Sequence, residues 1–150
     1  MVKKIKRNAS PIQQKRVGHS ILPPSGKSPK YLPEVDDIQR KNIGWNFHRM
    51  DKGGLWPCTF KKLTKYRSCL ISYEKKTVAE VLNARHCHPI SCDALCIQAQ
   101  NRLRSLGLDA GGSLVQLDIG GKARLWGMLH HNIFQLLWID PQHEVYPTAR

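Results

Sequence analysis

Arg124, His143 and Tyr146 lie near the C-terminus, and their types suit one reaction. Cleavage of RNA without a metal needs three groups. A base takes the 2′-hydroxyl proton, a cation stabilises the charged phosphorane, and an acid serves the leaving 5′-oxygen. Arginine is a natural phosphate clamp because its guanidinium is planar and always charged. Histidine serves as acid or base near neutral pH. A tyrosine can stack on a base or donate a hydrogen bond to phosphate. The plain structural alternative is that Arg124 pairs with Asp118 across a hairpin while Tyr146 caps the core.

Other chemistries fit the residues less well. Cys87, His88, Cys92 and Cys96 fall within ten residues, which raises a zinc site. Zinc sites of this size present paired ligands two to four residues apart, twice. Cys92 and Cys96 are instead one helical turn apart on an apolar stripe, so they read as small buried hydrophobes. No spacing ties a cysteine to a base, as a nucleophile would require. The glycine pairs are turn signals, and no phosphate-binding loop, serine elbow or HExxH is present. Acidic residues are too sparse for a two-metal nuclease. The expectation is therefore a site with no metal and no cofactor.

The charge points to a polyanion. The chain of 150 residues carries a net +13, with a pI near 9.9. Residues 1–44 hold ten lysines and arginines against three acids, a net of +7, and five of the nine prolines. Their apolar residues are isolated, so the segment reads as a flexible basic arm, and residues 45–150 as one domain. Candidate nucleic-acid contacts are Lys3, Lys4, Lys6 and Arg7 in the arm, and Lys61, Lys62, Lys65, Arg67 and Lys122 in the domain. Phosphate contacts by such residues release counterions and favour binding. A merely solvated basic surface is the bland alternative.

No apolar run approaches the roughly 18 residues of a spanning helix. The basic start is not followed by the apolar stretch of a signal peptide. Five cysteines form no even disulfide framework, which fits a reducing compartment. A cytoplasmic protein with no membrane partner is expected.

The elements that must position these residues read as an α+β domain. Trp45–Asp51 alternates as a short strand. Phe60, Leu63, Tyr66, Leu70 and Tyr73 recur at helical spacing over about four turns. Thr77–Glu80 has the form of a capping box opening a second helix, which His86–Pro89 ends. Leu95, Ala99, Leu103 and Leu106 mark a third helix, with Cys92 and Cys96 extending the stripe and Gly107 as its left-handed stop. Three strands then follow, near Ser113–Ile119, Lys122–Leu129 and Ile133–Ile139. Gly120-Gly121 forms the first hairpin turn, and a final extended piece is expected over His143–Tyr146. The predicted architecture is an N-terminal strand, two or three helices and a three-stranded antiparallel meander packed on the helices. Its strands are apolar on both faces, so one face meets the helices. The other is covered by more chain or is a binding surface.

This order resembles the RelE/ParE superfamily of bacterial toxins. The stretch Lys122-Ala-Arg124-Leu-Trp-Gly-Met, then Ile133-Phe-Gln-Leu-Leu-Trp-Ile-Asp, then His143-Glu-Val-Tyr146 is similar to that family's ending. The resemblance covers about residues 45–147 as topology and about 25 residues as motif. It implies an mRNA endoribonuclease, often acting on the ribosome and neutralised by a cognate antitoxin protein. It places Arg124 as the phosphate-binding arginine, His143 and Tyr146 as the C-terminal catalytic positions, and Lys122 in the basic cluster. The basic arm, the longer helical segment and the extension Trp138-Ile-Asp-Pro depart from the commonest members. Two other readings stay open. One is a non-enzymatic nucleic-acid- or ribosome-binding protein of a phage or mobile element. The other is an interaction module whose exposed tryptophans and leucines dock a protein.

Overall fold

Short helices and one five-stranded sheet follow from local signals along the chain. The computed structural model describes residues 35–109 and 111–148, with side chains from residue 37. Lys3, Lys4, Lys6, Arg7 and the rest of residues 1–34 of the predicted arm lie outside the described residues. The last ten residues of that predicted arm are described, and they carry a helix and a bridge. Helix α1 spans Val35–Gln39, Asn42 bridges to Thr77, and Ile43 is buried.

Strand β1 is Gly44–Asn46. The predicted four-turn helix is split into α2 (Phe60–Leu63), a 3-10 turn (Thr64–Tyr66) and α3 (Arg67–Glu74). Thr59 caps α2, its hydroxyl accepting from Lys62 N–H at 3.3 Å. The break has a local cause: the Thr64 hydroxyl donates back to the Phe60 carbonyl at 3.1 Å, a bond that bends helices. Helix α4 (Val78–Leu82) opens with the predicted capping box, Thr77 N–H donating to Glu80 at 2.7 Å.

Strand β2 (His88–Ser91) was not expected, because Pro89 argues against a strand. It lies at the sheet edge, where a missing N–H faces no partner. Helix α5 spans Ile97–Ser105, and Gly107 ends it at φ 68°. Strands β3 (Ser113–Asp118), β4 (Arg124–His130) and β5 (Ile133–Asp140) complete the sheet.

The sheet order is β1-β5-β4-β3-β2. Strands β2 to β5 form an antiparallel meander of four strands, not three, and β1 joins β5 in parallel. The fold is thus mixed α+β, with one more strand than expected and a mixed sheet.

Helices cover both faces. On one, residues of α2–α4 pack with Val115, Leu117, Leu125, Phe134 and Leu136. On the other, Leu95, Ala99 and Leu103 pack with Leu114, Trp126, Leu137, Trp138 and Val145. A bulge explains how Leu136 and Trp138 reach opposite faces. Trp126 opposes Trp138 and Gly127 opposes Leu136, leaving Leu137 as the extra residue. Trp56, Trp126 and Trp138 are buried, so they are not docking residues at the surface. No helix among the described residues is long and apolar enough to cross a membrane.

Candidate functional site

Pleating and register bring a polar row to one end of the sheet. Asp118 opposes Arg124, and Arg124 opposes Asp140. One step along, Gln116 opposes Trp126, which opposes Trp138. Alternation along β4 puts Arg124 on the same face as Trp126, the α5 face.

Arg124 is 8% exposed. Its Nη1 donates to Asp118 Oδ1 at 3.3 Å and to the carbonyls of Gly121 at 2.9 Å and Ala123 at 2.8 Å. The cross-hairpin pair weighed from sequence is present. The guanidinium Nε, however, is buried without a partner.

His143 does not continue a strand. It sits in a turn at φ 60°, a left-handed conformation uncommon for a residue with a side chain. Asp140 builds this turn: its buried carboxylate accepts the N–H groups of Glu144 and Val145, each at 2.9 Å. The imidazole Nε2 is buried without a partner. Burial pushes the His143 pKa below its ordinary value of 6.5, and the positive charge of Arg124 pushes it the same way. Asp140 and Asp118 oppose the shift, and His86 adds to it. Burial and the Arg124 charge both favour the neutral imidazole.

Five buried side-chain polar atoms lack a partner among the described residues. Four belong to this region: Gln116 Oε1, Arg124 Nε, Trp126 Nε1 and His143 Nε2. Each such group costs about 1–3 kcal/mol if nothing meets it. Gln116 and Trp126 are register partners, and Arg124 lies two residues from Trp126 on the same strand.

Tyr146 is half-buried against the α5-face cluster, on the same side of the sheet as Arg124. Lys122 is exposed in the turn before β4. Cys87 and Cys92 belong to apolar clusters on opposite faces, so they do not face a common ligand. No group of three or more His, Cys, Asp or Glu among the described residues could hold a metal ion.

A second feature borders the same strand end. Lys61, Lys62, Lys65, Thr59, Tyr66, Ile139 and Pro141 line a cavity of about 510 Å³. Arg67, in the next turn, is exposed outside that lining. Ile139 faces the α2–α4 side, and the adjacent Asp140 lies in Arg124's row on the α5 side.

A third constellation escaped the sequence reading. Asp51 is 5% exposed and receives Arg102 Nε at 2.8 Å and Nη2 at 2.6 Å. Trp138 Nε1 at 2.9 Å and Gly53 N–H at 3.0 Å complete its shell. Burial alone would raise the Asp51 pKa, but the bonds from Arg102, Trp138 and Gly53 outweigh it and hold it below the ordinary 3.8. Gln116 and Asp140 also went unflagged as site residues. A glutamine inside the apolar run Leu114–Leu117 was the one available signal.

Set beside known proteins, the chain matches no family model, no curated protein and no solved structure.

Proposed function

We propose that this protein binds RNA and cleaves it without a metal, as the RelE/ParE resemblance implies. One observation carries the reading. Arg124 lies near enough to His143 for its charge to act on the imidazole, and each has a buried ring or guanidinium nitrogen with no protein partner. Neutral His143 takes the 2′-hydroxyl proton, and the 2′-oxygen attacks the adjacent phosphorus. Arg124 stabilises the phosphorane. The 5′-oxygen leaves with a proton from water, giving a 2′,3′-cyclic phosphate. Tyr146 positions a base. The partners on this reading are RNA, with the ribosome as its setting, and a cognate antitoxin protein, all in the cytoplasm.

The test is cleavage of labelled RNA by the full chain in excess chelator. Arg124→Ala and His143→Ala should each lower the rate by on the order of 100-fold or more. A 2′-deoxy substrate should stay intact. Unchanged cleavage in both variants, or none by the unaltered chain, overturns the reading.

A second reading is non-enzymatic RNA binding. It is favoured by the commitment of Arg124 Nη1 to three protein acceptors at 8% exposure. RNA binding that weakens steeply with salt, with no cleavage under any condition, would establish it.

A further inference from the structure

We infer that the cavity between α2, its following turn and the end of β5 is a subsite for one unpaired nucleotide of a single-stranded RNA. The inference rests on the RNA reading above and names the form of RNA it takes. Exposed lysines are usually no more than a solvated face. Here three of them, Lys61, Lys62 and Lys65, surround one concavity to which no carboxylate contributes. Its walls are a ring and two apolar side chains, Tyr66, Ile139 and Pro141. The volume of about 510 Å³ lies within the range of small-ligand sites, roughly 300–1,000 Å³. Ammonium groups at the rim suit phosphates, and the apolar wall suits the flat face of a base. The Lys65 ammonium already lies 5.7 Å from the Tyr66 ring centroid, so charge and ring are adjacent.

A second aromatic stands in sequence between two residues of the lining, Thr59 and Lys61. Phe60 is 63% exposed, one residue before Lys61. Phe47 packs edge-on against it, with centroids 5.5 Å apart and planes at 61°. A held, exposed ring beside lysines is the arrangement on which successive unstacked bases pile. A duplex keeps its bases inside its own stack and offers the cavity only backbone. The subsite and the proposed chemistry share a strand end but lie on opposite faces of the sheet, so an RNA strand would pass round that end to reach both. Ile139 and Pro141 flank Asp140, the register partner of Arg124.

Fluorescence anisotropy with a labelled 2′-O-methyl oligonucleotide tests this on the full chain, since that probe has no 2′-hydroxyl proton to lose. Three probes of matched phosphate number are compared: intact single strand, abasic single strand and duplex. The abasic and duplex probes should bind about tenfold more weakly or worse. Lys61→Gln with Lys65→Gln should lower single-strand affinity and make the log–log salt slope shallower by about 1.4, at about 0.7 per phosphate contact. Phe60→Ala should weaken binding about fivefold or more, and Phe60→Tyr should restore it. All three positions are exposed, so the fold should survive. Abasic and intact probes binding equally would overturn the subsite while leaving RNA binding intact. Full affinity in the double lysine variant would overturn it as well. No binding to any probe would overturn both the subsite and the RNA reading.

Discussion

Arg102 meets Asp51 through two nitrogens, whereas Arg124 meets Asp118 through one. Both pairs serve the α5 face of the same sheet, yet they are finished differently. Asp51 has four donors around its carboxylate, and its side chain is 3% exposed. The Asp118 side chain is 32% exposed and receives Nη1 alone from Arg124. The Asp51 network ties the segment after β1 to α5 and β5, because Asp51 N–H also donates to the Leu137 carbonyl at 3.0 Å. Around Arg124, nitrogen donors remain over. A completed buried network fixes structure, and an incomplete one keeps donors free for something else. The difference separates a pair whose shell is complete from a pair with a guanidinium nitrogen left over.

The largest effect should come from breaking the completed network. Asp51→Ala strands Arg102 and the Trp138 N–H and should cost about 3 kcal/mol in urea unfolding. The smaller end of the usual range applies because Arg102 is one-third exposed. Arg124→Ala should cost less, about 1 kcal/mol, because the remaining Asp118 can turn to water. If Arg124→Ala destabilises as much as Asp51→Ala, the contrast between the pairs fails and Arg124 is structural.

Gln116→Leu should change stability by less than about 1 kcal/mol, toward greater stability, because it deletes an unpaired buried acceptor. A loss of several kcal/mol would mean that the acceptor is met in solution. The smallest effect concerns pH. The folded pKa of His143 lies below 6.5, so the unfolded chain binds the proton first. Its contribution is full above pH 6.5 and declines as pH falls through that value. The difference in unfolding free energy between the unaltered chain and His143→Gln should therefore shrink on acidification over that range. A difference that grows on acidification would place the imidazole in a charged, stabilised setting and sharpen the comparison the other way.

Much of the framework was legible because its causes are local. The Thr77–Glu80 capping box and the Gly107 stop act within a few residues and stand where the pattern put them. The two-residue turn expected at Gly120-Gly121 is longer and takes in Lys122, Ile119 N–H donating to the Ala123 carbonyl. The break at Thr64 was hidden, because helical spacing continues across a bend made by one hydroxyl. Strand β2 was hidden because Pro89 weighs against a strand unless it is known to lie at an edge. The stripe of α5 ended sooner than its spacing implied, with Leu106 37% exposed.

By itself the sequence determined the basic charge, the α+β pattern and the residue types able to handle a phosphate, since composition and short periods carry those directly. Tertiary structure alone decided which Arg124 nitrogen is occupied, which His143 nitrogen is not, and that Asp51 rather than Asp118 completes its shell. Those outcomes depend on partners up to 87 positions apart, as with Asp51 and Trp138, brought together by strand register and a bulge at Leu137. No local window contains them, because a one-residue change of register moves every side chain to the other face.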